Sequence, residues 1–373
     1  MRLFRMDACA CVDGARLAAA LAAAAPSLTQ HGYAVIDDAL GPSLSLALRD
    51  EMAALHARRL LRQHRFGFKP SPQAPHKIVK KPHIYEAELS EPHVREHAPC
   101  VDALAAVLPS AACEALPELH LIEGAAVKLQ CNEGHGGCFP LHFDNAGPPS
   151  KRKLTALVYL NAEWVEADGG EIELVPWLAP PVVVPPLLGR LVLFRSDLVL
   201  HRVLPSTARR YCFTVWVDGE GTNQDQLIVP RGSTYAEVCA GLTRSGAQRL
   251  LSRAVYAEEY ARSLTACMAG EPELHELLAS HEQHVAACVA PTSKMAPLVH
   301  AARMLKGTLP AGPAPPPPPQ RQDETASEVP ASSVGVEDQA SSVPSSVPAQ
   351  LVRLRVDACT DVSVTAGLEL IAA

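Results

Sequence analysis

Three side chains near the middle of this 373-residue chain have the types and spacing to hold a metal ion. His142 and Asp144 stand two residues apart, His201 lies well downstream, and Arg210 follows it. Two imidazoles and one carboxylate can occupy one face of an octahedral Fe(II) ion and leave the other face open for a chelating co-substrate and O2. Imidazole is a neutral donor near pH 7, and the carboxylate adds a hard anionic oxygen. An arginine stays charged and can pair bidentately with the far carboxylate of an organic acid. Singly, each residue has a plainer reading. A His-x-Asp pair recurs by chance, and a lone histidine is usually a hydrogen-bonded core or surface residue. Arg210 can be a surface charge, with Arg209 equally available, and Tyr159 and Trp216 can be core. Order, spacing and strand parity together raise the set above those readings.

Side chains alternate across a strand, so residues two apart share a face. On a strand, His142 and Asp144 point the same way. The next strand, expected over 153–161, groups Thr155, Leu157 and Tyr159. Further strands are expected over 171–175 and 189–194. A last one over 210–217 groups Arg210 with Cys212, Thr214 and Trp216, and turns Arg209 the other way. Short strands with turn residues every 8–12 positions between about 119 and 218 suggest an antiparallel jelly roll.

Around this region the pattern is helical. Residues 14–29 form an alanine-rich helix, 32–36 a strand, and 43–64 a helix with Leu44, Leu48, Met52 and Leu55 on one stripe. A further helix fits 100–108, and helical spacing returns over 225–308. Residues 309–349 are rich in Pro, Ser, Ala and Gln and read as a disordered or polyproline tail. The last 24 residues are more apolar and could form a strand or helix. The expected fold class is α+β: a double-stranded β-helix (jelly roll) core with flanking N-terminal helices, a C-terminal helical extension and a Pro/Ser-rich tail. The expected division is 1–125 as N-terminal support, 126–222 as the core, 223–308 as the extension and 309–373 as the tail.

Composition narrows the setting. Hydrophobic residues at 48% suffice for a core, and a net charge of −7 argues against a dominant nucleic-acid surface. The 11 cysteines are odd in number and lack CxxC pairs, which argues against a disulfide framework and for a reducing compartment. Cys131, His135 and Cys138 have the spacing of half a zinc site, but no second half follows, so an ordinary glycine-rich loop is expected. No stretch reads as a transmembrane helix. Arg2, Arg5 and the apolar run 17–25 outline a leader that Asp7 and Asp13 weaken, so a cytoplasmic or nuclear location is expected, with a secretory or organelle signal as the alternative. From Arg58 to Lys81 the chain carries eight Lys/Arg and no Asp or Glu. This reads as a solvated helix end and loop, or as a lid for an acidic peptide or a phosphate backbone.

These residues together resemble a known family. The segments 139–145, 154–164, 169–174, 189–197, 201–203 and 209–216 are similar in order and interval to the catalytic core of the Fe(II)/2-oxoglutarate dioxygenases, in the prolyl-4-hydroxylase-like branch. The similarity covers about half the chain, counting a looser match over 33–64. It implies that His142, Asp144 and His201 bind iron. It further implies that Arg210 pairs with the C5 carboxylate of 2-oxoglutarate, that Tyr159 and Thr155 hydrogen-bond the same carboxylate, and that Trp216 lines the pocket. The implied activity is hydroxylation of a protein or peptide side chain, proline among the options. It requires Fe(II), 2-oxoglutarate and O2, with ascorbate as reductant. The chain departs from the family at Gln130-Cys131-Asn132-Glu133, where many relatives place a tyrosine, and in the loop 134–137. Two other readings are a jelly-roll interaction module without catalysis, and an oxygenase of the same type acting on a small molecule or nucleic acid.

Overall fold

The computed structural model describes residues 12–68, 74–220 and 232–317, together with two short strands at 351–354 and 368–371. Helix α1 (Gly14–His31) starts where the Asp13 side chain accepts a hydrogen bond from the Arg16 amide at 2.9 Å, and stops at Gly32, whose φ of 80° suits glycine. Its stripe of Leu17, Leu21, Ala24 and Leu28 is buried. After strand β1 (Tyr33–Ile36), helix α2 (Pro42–Ala57) buries the expected stripe of Leu44, Leu48, Met52 and Leu55. Each such leucine contributes roughly 1.5–3 kcal/mol relative to exposure. The buried Glu51 carboxylate of α2 accepts from the amides of Cys100 and Val101 at 2.8–3.1 Å, capping helix α3 (Pro99–Ala115).

Helix α2 ends seven residues earlier than expected, because Arg59 takes a left-handed φ of 56° and the chain enters strand β2 (Arg62–Phe68). Strand β2 pairs with β3 (Lys77–Glu88), so the basic stretch is a hairpin, not a helix end and loop. Its charges are not one surface: Lys77 pairs with Glu276 at 2.6 Å, Arg62 pairs with Glu91, and Lys81 is buried.

Strands β4 (Leu121–Asn132), β5 (Gly137–His142), β6 (Arg152–Tyr159), β7 (Ile172–Val175), β8 (Val182–Val184), β9 (Leu191–Arg195), β10 (Leu200–Ser206) and β11 (Arg210–Gly219) complete the jelly roll. One sheet runs β1-β9-β6-β11-β4-β3-β2 and the other β5-β10-β7-β8, all antiparallel. Helices α1–α3 cover the outer face of the large sheet through Leu104, Leu108, Leu129, Val158 and Phe213.

The C-terminal helices are α4 (Tyr235–Gly241), α5 (Gln248–Val255), α6 (Ala257–Cys267), α7 (Leu274–Val289) and α8 (Ala296–Leu305). They pack on the small sheet through Leu141, Val175, Trp177 and Leu200. A disulfide between Cys138 and Cys267 joins β5 to α6. Cys138 is therefore neither a free thiol nor a zinc ligand, which corrects the expectation of reduced cysteines. Glycine 136 and Gly134, both with φ near 90°, make the loop an ordinary turn held by Asn132, whose amide donates to Gly137 O at 2.7 Å. The start of the proline-rich segment is docked, correcting the expectation of a tail from residue 309. Tyr33 donates to Pro313 O at 3.1 Å and Arg190 to Pro316 O at 2.8 Å. Leu351–Leu354 and Leu368–Ile371 pair with each other. Residues 1–11 and 318–350 lie outside the described residues.

Candidate metal centre and co-substrate pocket

His142 and His201 face each other across the β5–β10 ladder with ring centroids 4.2 Å apart. On β5, the span Phe139 to His142 opposes only Val203 to His201, so an extra residue bulges out beside Pro140. Proline lacks the N–H that a regular ladder needs, and a bulge re-aims neighbouring side chains. Both imidazoles are oriented by main-chain carbonyls: His142 Nδ1 lies 2.8 Å from Pro140 O, and His201 Nδ1 lies 3.2 Å from Val199 O. With Nδ1–H donating there, each Nε2 lone pair points inward.

Asp144 sits just past the end of β5. Asn145 fixes the turn, its amide donating to Arg152 O at 2.6 Å and its carbonyl accepting from Gly147 N at 2.8 Å. Asp144 Oδ1 stands 3.7 Å from Nε2 of both histidines. The three ligating atoms lie within 4.8 Å of one another, the only such group of three among the described residues. Asp144 Oδ2 is occupied differently, accepting from Thr155 Oγ1 at 2.7 Å and Trp216 Nε1 at 2.9 Å. Burial favours the acid form of Asp144, but the facing imidazoles, then these two donors, hold its carboxyl below the usual range. Burial and then the neighbouring His201 push His142 down to about 3, so it is a neutral donor.

Thr155 Oγ1 is engaged by Asp144 Oδ2 at 2.7 Å, with Ser196 Oγ behind it at 2.8 Å. Trp216 lines the cavity as expected and also orients the carboxylate.

Arg210 and Tyr159 come together deeper in the barrel. The Arg210 guanidinium lies 4.8 Å from the Tyr159 ring centroid, and both residues are buried. Arg210 Nη1 donates to Cys212 Sγ at 3.5 Å, while Arg210 Nε and Tyr159 Oη have no well-formed partner beyond their contact with each other. A buried guanidinium with so few acceptors is costly unless something fills the site, and a carboxylate would do so. Gly170, at φ 79°, makes room for the arginine stem: a Cβ there would come 3.0 Å from Arg210 Cδ. Arg209 is exposed. The donor set thus fits a divalent iron with a dicarboxylate reaching from it to Arg210.

A cavity of about 360 Å³ holds the triad, Arg210, Thr155 and Trp216. Its outer wall includes Lys81, from the basic stretch read as a possible lid, beside residues that sequence reasoning missed: His64 and Phe66 from the β2–β3 hairpin, Phe139 beside the bulge, and Arg253, Tyr260, Leu264 and Leu277 from the C-terminal helices. Helical periodicity marked Leu277 as apolar, but nothing in the sequence placed α6 and α7 over this opening. Ser263 Oγ accepts from Leu141 N at 3.1 Å and the Cys138–Cys267 bridge sits alongside, so the helices are fastened to the strand that carries His142.

Comparison with known proteins agrees with this geometry. Residues 127–218 match the family described as the 2OG-Fe(II) oxygenase superfamily. The chain is 28% identical over 195 residues to Egl nine homolog 1 of Homo sapiens and to that of Mus musculus, covering 51% of this chain and 45% and 48% of those proteins. It thus spans less than half the length of these relatives. A solved structure of prolyl 4-hydroxylases from Phytophthora capsici is 38% identical, with a TM-score of 0.67, covering 80% of this chain and 96% of that one. With that coverage and identity, the chain belongs to the 2OG-Fe(II) oxygenase superfamily, in its prolyl 4-hydroxylase-like branch.

Proposed function

We propose that this chain is an Fe(II)- and 2-oxoglutarate-dependent dioxygenase that hydroxylates a protein or peptide side chain, with proline as the first choice of target. The observation that carries this reading is the pairing of two incomplete sites in one cavity. The His142–Asp144–His201 triad leaves coordination positions open, and Arg210, which lines the same cavity and packs against Tyr159, offers charged donors for a carboxylate. The similarity to the prolyl 4-hydroxylases of Phytophthora capsici and to Egl nine homolog 1 supports the choice of substrate class.

His142, Asp144 and His201 would hold the iron, and Arg210 with Tyr159 would hold the C5 carboxylate. Bound there, Fe(II) supplies activation of O2, with one oxygen atom leaving in succinate, as CO2 is released, and the other replacing hydrogen on the substrate as hydroxyl. The protein's part is positioning and exclusion of water. Thr155 and Trp216 keep Oδ1 of Asp144 on the metal side, the two carbonyls keep each Nε2 deprotonated, and Leu157, Ile172 and Phe194 make the inner wall apolar. No helix among the described residues is long and apolar enough to cross a membrane.

Incubation with Fe(II), ascorbate, 2-oxoglutarate and candidate peptides tests the reading. Succinate should form, and a peptide product should gain the mass of one oxygen atom. His142→Ala and Asp144→Ala should abolish both. Neither coupled nor uncoupled turnover, with no iron bound, would favour an interaction module on the same fold.

A further inference from the structure

Resting on that reading, we infer that Lys81 is a specificity-determining residue that binds a carboxylate side chain of the peptide substrate close to the hydroxylated residue. Lys81 is only 4% exposed, although it belongs to a hairpin whose neighbouring Lys80 faces solvent. The ladder explains its direction. Gln63 pairs with Tyr85 but Arg65 pairs with Lys80, so residues 81–84 bulge from β3 opposite a single residue. His83 within the bulge has a left-handed φ of 59°. A bulge beside a cavity re-aims side chains, and this one sends Lys81 into the cavity that holds the triad.

The ammonium has no ion-pair partner there. Nζ sits 3.5 Å from the centroid of the Phe139 ring and 5.7 Å from that of Phe66. Phe139 in turn lies 6.1 Å, centroid to centroid, from His142. Among the described residues no carboxylate is within ion-pairing distance of Lys81. Glu86, on the same strand, is engaged by Lys128 at 3.2 Å and faces His64 Nδ1 at 2.7 Å. Ring faces offset only part of the cost of burying a cation. Burial, the main cause, lowers the Lys81 amine to about 7, and the more distant Glu86 offsets only part of the fall. An arriving carboxylate would supply a counter-charge in a low-dielectric pocket, where a wrong partner is strongly disfavoured. The co-substrate already has its carboxylate donors in Arg210 and Tyr159, which leaves Lys81 for the substrate.

The test uses a peptide library with a fixed central proline and randomised flanks, incubated with the full chain, Fe(II), ascorbate and 2-oxoglutarate. Hydroxylated products are sequenced by mass spectrometry. Products should be enriched in Asp or Glu at one flanking position by about tenfold, the size of one charge pair of modest strength. Lys81→Arg should keep the enrichment, Lys81→Met should flatten it, and Lys81→Glu should turn it toward Lys and Arg at the same position. Melting temperatures establish that each variant is folded, and Lys81→Met carries the test if Lys81→Glu is not. Hydroxylated products with no acidic preference in the parent chain would overturn the inference and leave the proposed activity standing. So would a Lys81→Met chain whose KM for 2-oxoglutarate rises while peptide preference is unchanged, because Lys81 would then serve the co-substrate. Neither succinate nor product from the parent chain would overturn the proposed activity and this inference together.

Discussion

Trp216 donates its indole N–H to Oδ2 of Asp144 at 2.9 Å, from a strand pairing that also brings Thr155 opposite it to donate to the same oxygen at 2.7 Å. Both donors saturate one carboxylate oxygen and leave the other, Oδ1, equidistant from the two histidines at 3.7 Å. The sheet register thus fixes which oxygen faces a metal. Replacing Trp216 with Phe keeps the ring but removes the donor. We expect a 10–100-fold loss of Fe(II) affinity, the usual effect of removing such a supporting hydrogen bond, measured by anaerobic titration. Thr155→Val should act likewise, without a matching rise in the 2-oxoglutarate requirement.

Tyr159→Phe separates the co-substrate contact from stability. Its hydroxyl is buried and makes no well-formed hydrogen bond, only a contact with Arg210, so removing it should change the melting temperature of the ligand-free chain little. With 2-oxoglutarate present the hydroxyl gains a charged acceptor, and KM for 2-oxoglutarate should rise by about tenfold in the variant, as expected for one charge-assisted hydrogen bond. Steady-state kinetics and a melting curve decide the two halves.

Much of this centre was legible in the sequence because strands have period two and the ligands sit on strands or at their ends. Parity alone chose Arg210 over Arg209, and the structure buries the first and exposes the second. What parity could not give is where a ladder slips. The bulge at Pro140 brings Phe139 beside His142, and the bulge at 81–84 turns a surface-type lysine inward. Parity placed Thr155 on the inner face but could not show that its hydroxyl reaches Asp144, because that is a matter of distance. The outer wall from α5–α7 was unreadable for a similar reason: helical spacing marks an apolar face but not the surface it meets. The Cys138–Cys267 bridge spans 129 residues, a separation at which cysteine spacing carries no information on pairing.

Asp197 should set part of the acid limit of the fold. It is buried, accepts from Arg195 at 2.9 Å through both oxygens, and pairs with Lys153 at 2.9 Å. Burial alone would raise its pKa, but Arg195 and then Lys153 hold it below the ordinary aspartate value. A depressed folded pKa contributes stability that is complete above the unfolded value near 4 and is lost as pH falls through the folded one. Asp197→Asn should cost about 1–3 kcal/mol at neutral pH, because it removes the buried acceptor of the part-exposed Arg195 and Lys153 cations. Denaturant melts should show the difference from the parent chain narrowing below about pH 4.

Lys81 shares that direction of pH dependence, but its buried cation costs stability where the Asp197 carboxylate contributes it. Its pKa falls from 10.5 unfolded to about 7 folded, so the unfolded chain binds more protons between those values, and parent stability rises with pH across that window. Lys81→Met should therefore be more stable than the parent at pH 7 and below, with the advantage shrinking toward pH 10.5. A gain that does not change with pH would mean that the amine is not buried as a cation.

The central claim is that His142, Asp144 and His201 hold iron while Arg210 holds a dicarboxylate chelating it. Anaerobic visible spectroscopy reads both at once, because 2-oxoglutarate chelated to Fe(II) gives a metal-to-ligand charge-transfer band that neither component gives alone. The band should appear in the parent chain at one iron and one 2-oxoglutarate per chain, be absent in His142→Ala, and require far more 2-oxoglutarate in Arg210→Ala. No band in the parent chain at saturating iron and 2-oxoglutarate, or a band that survives in His142→Ala, would contradict it.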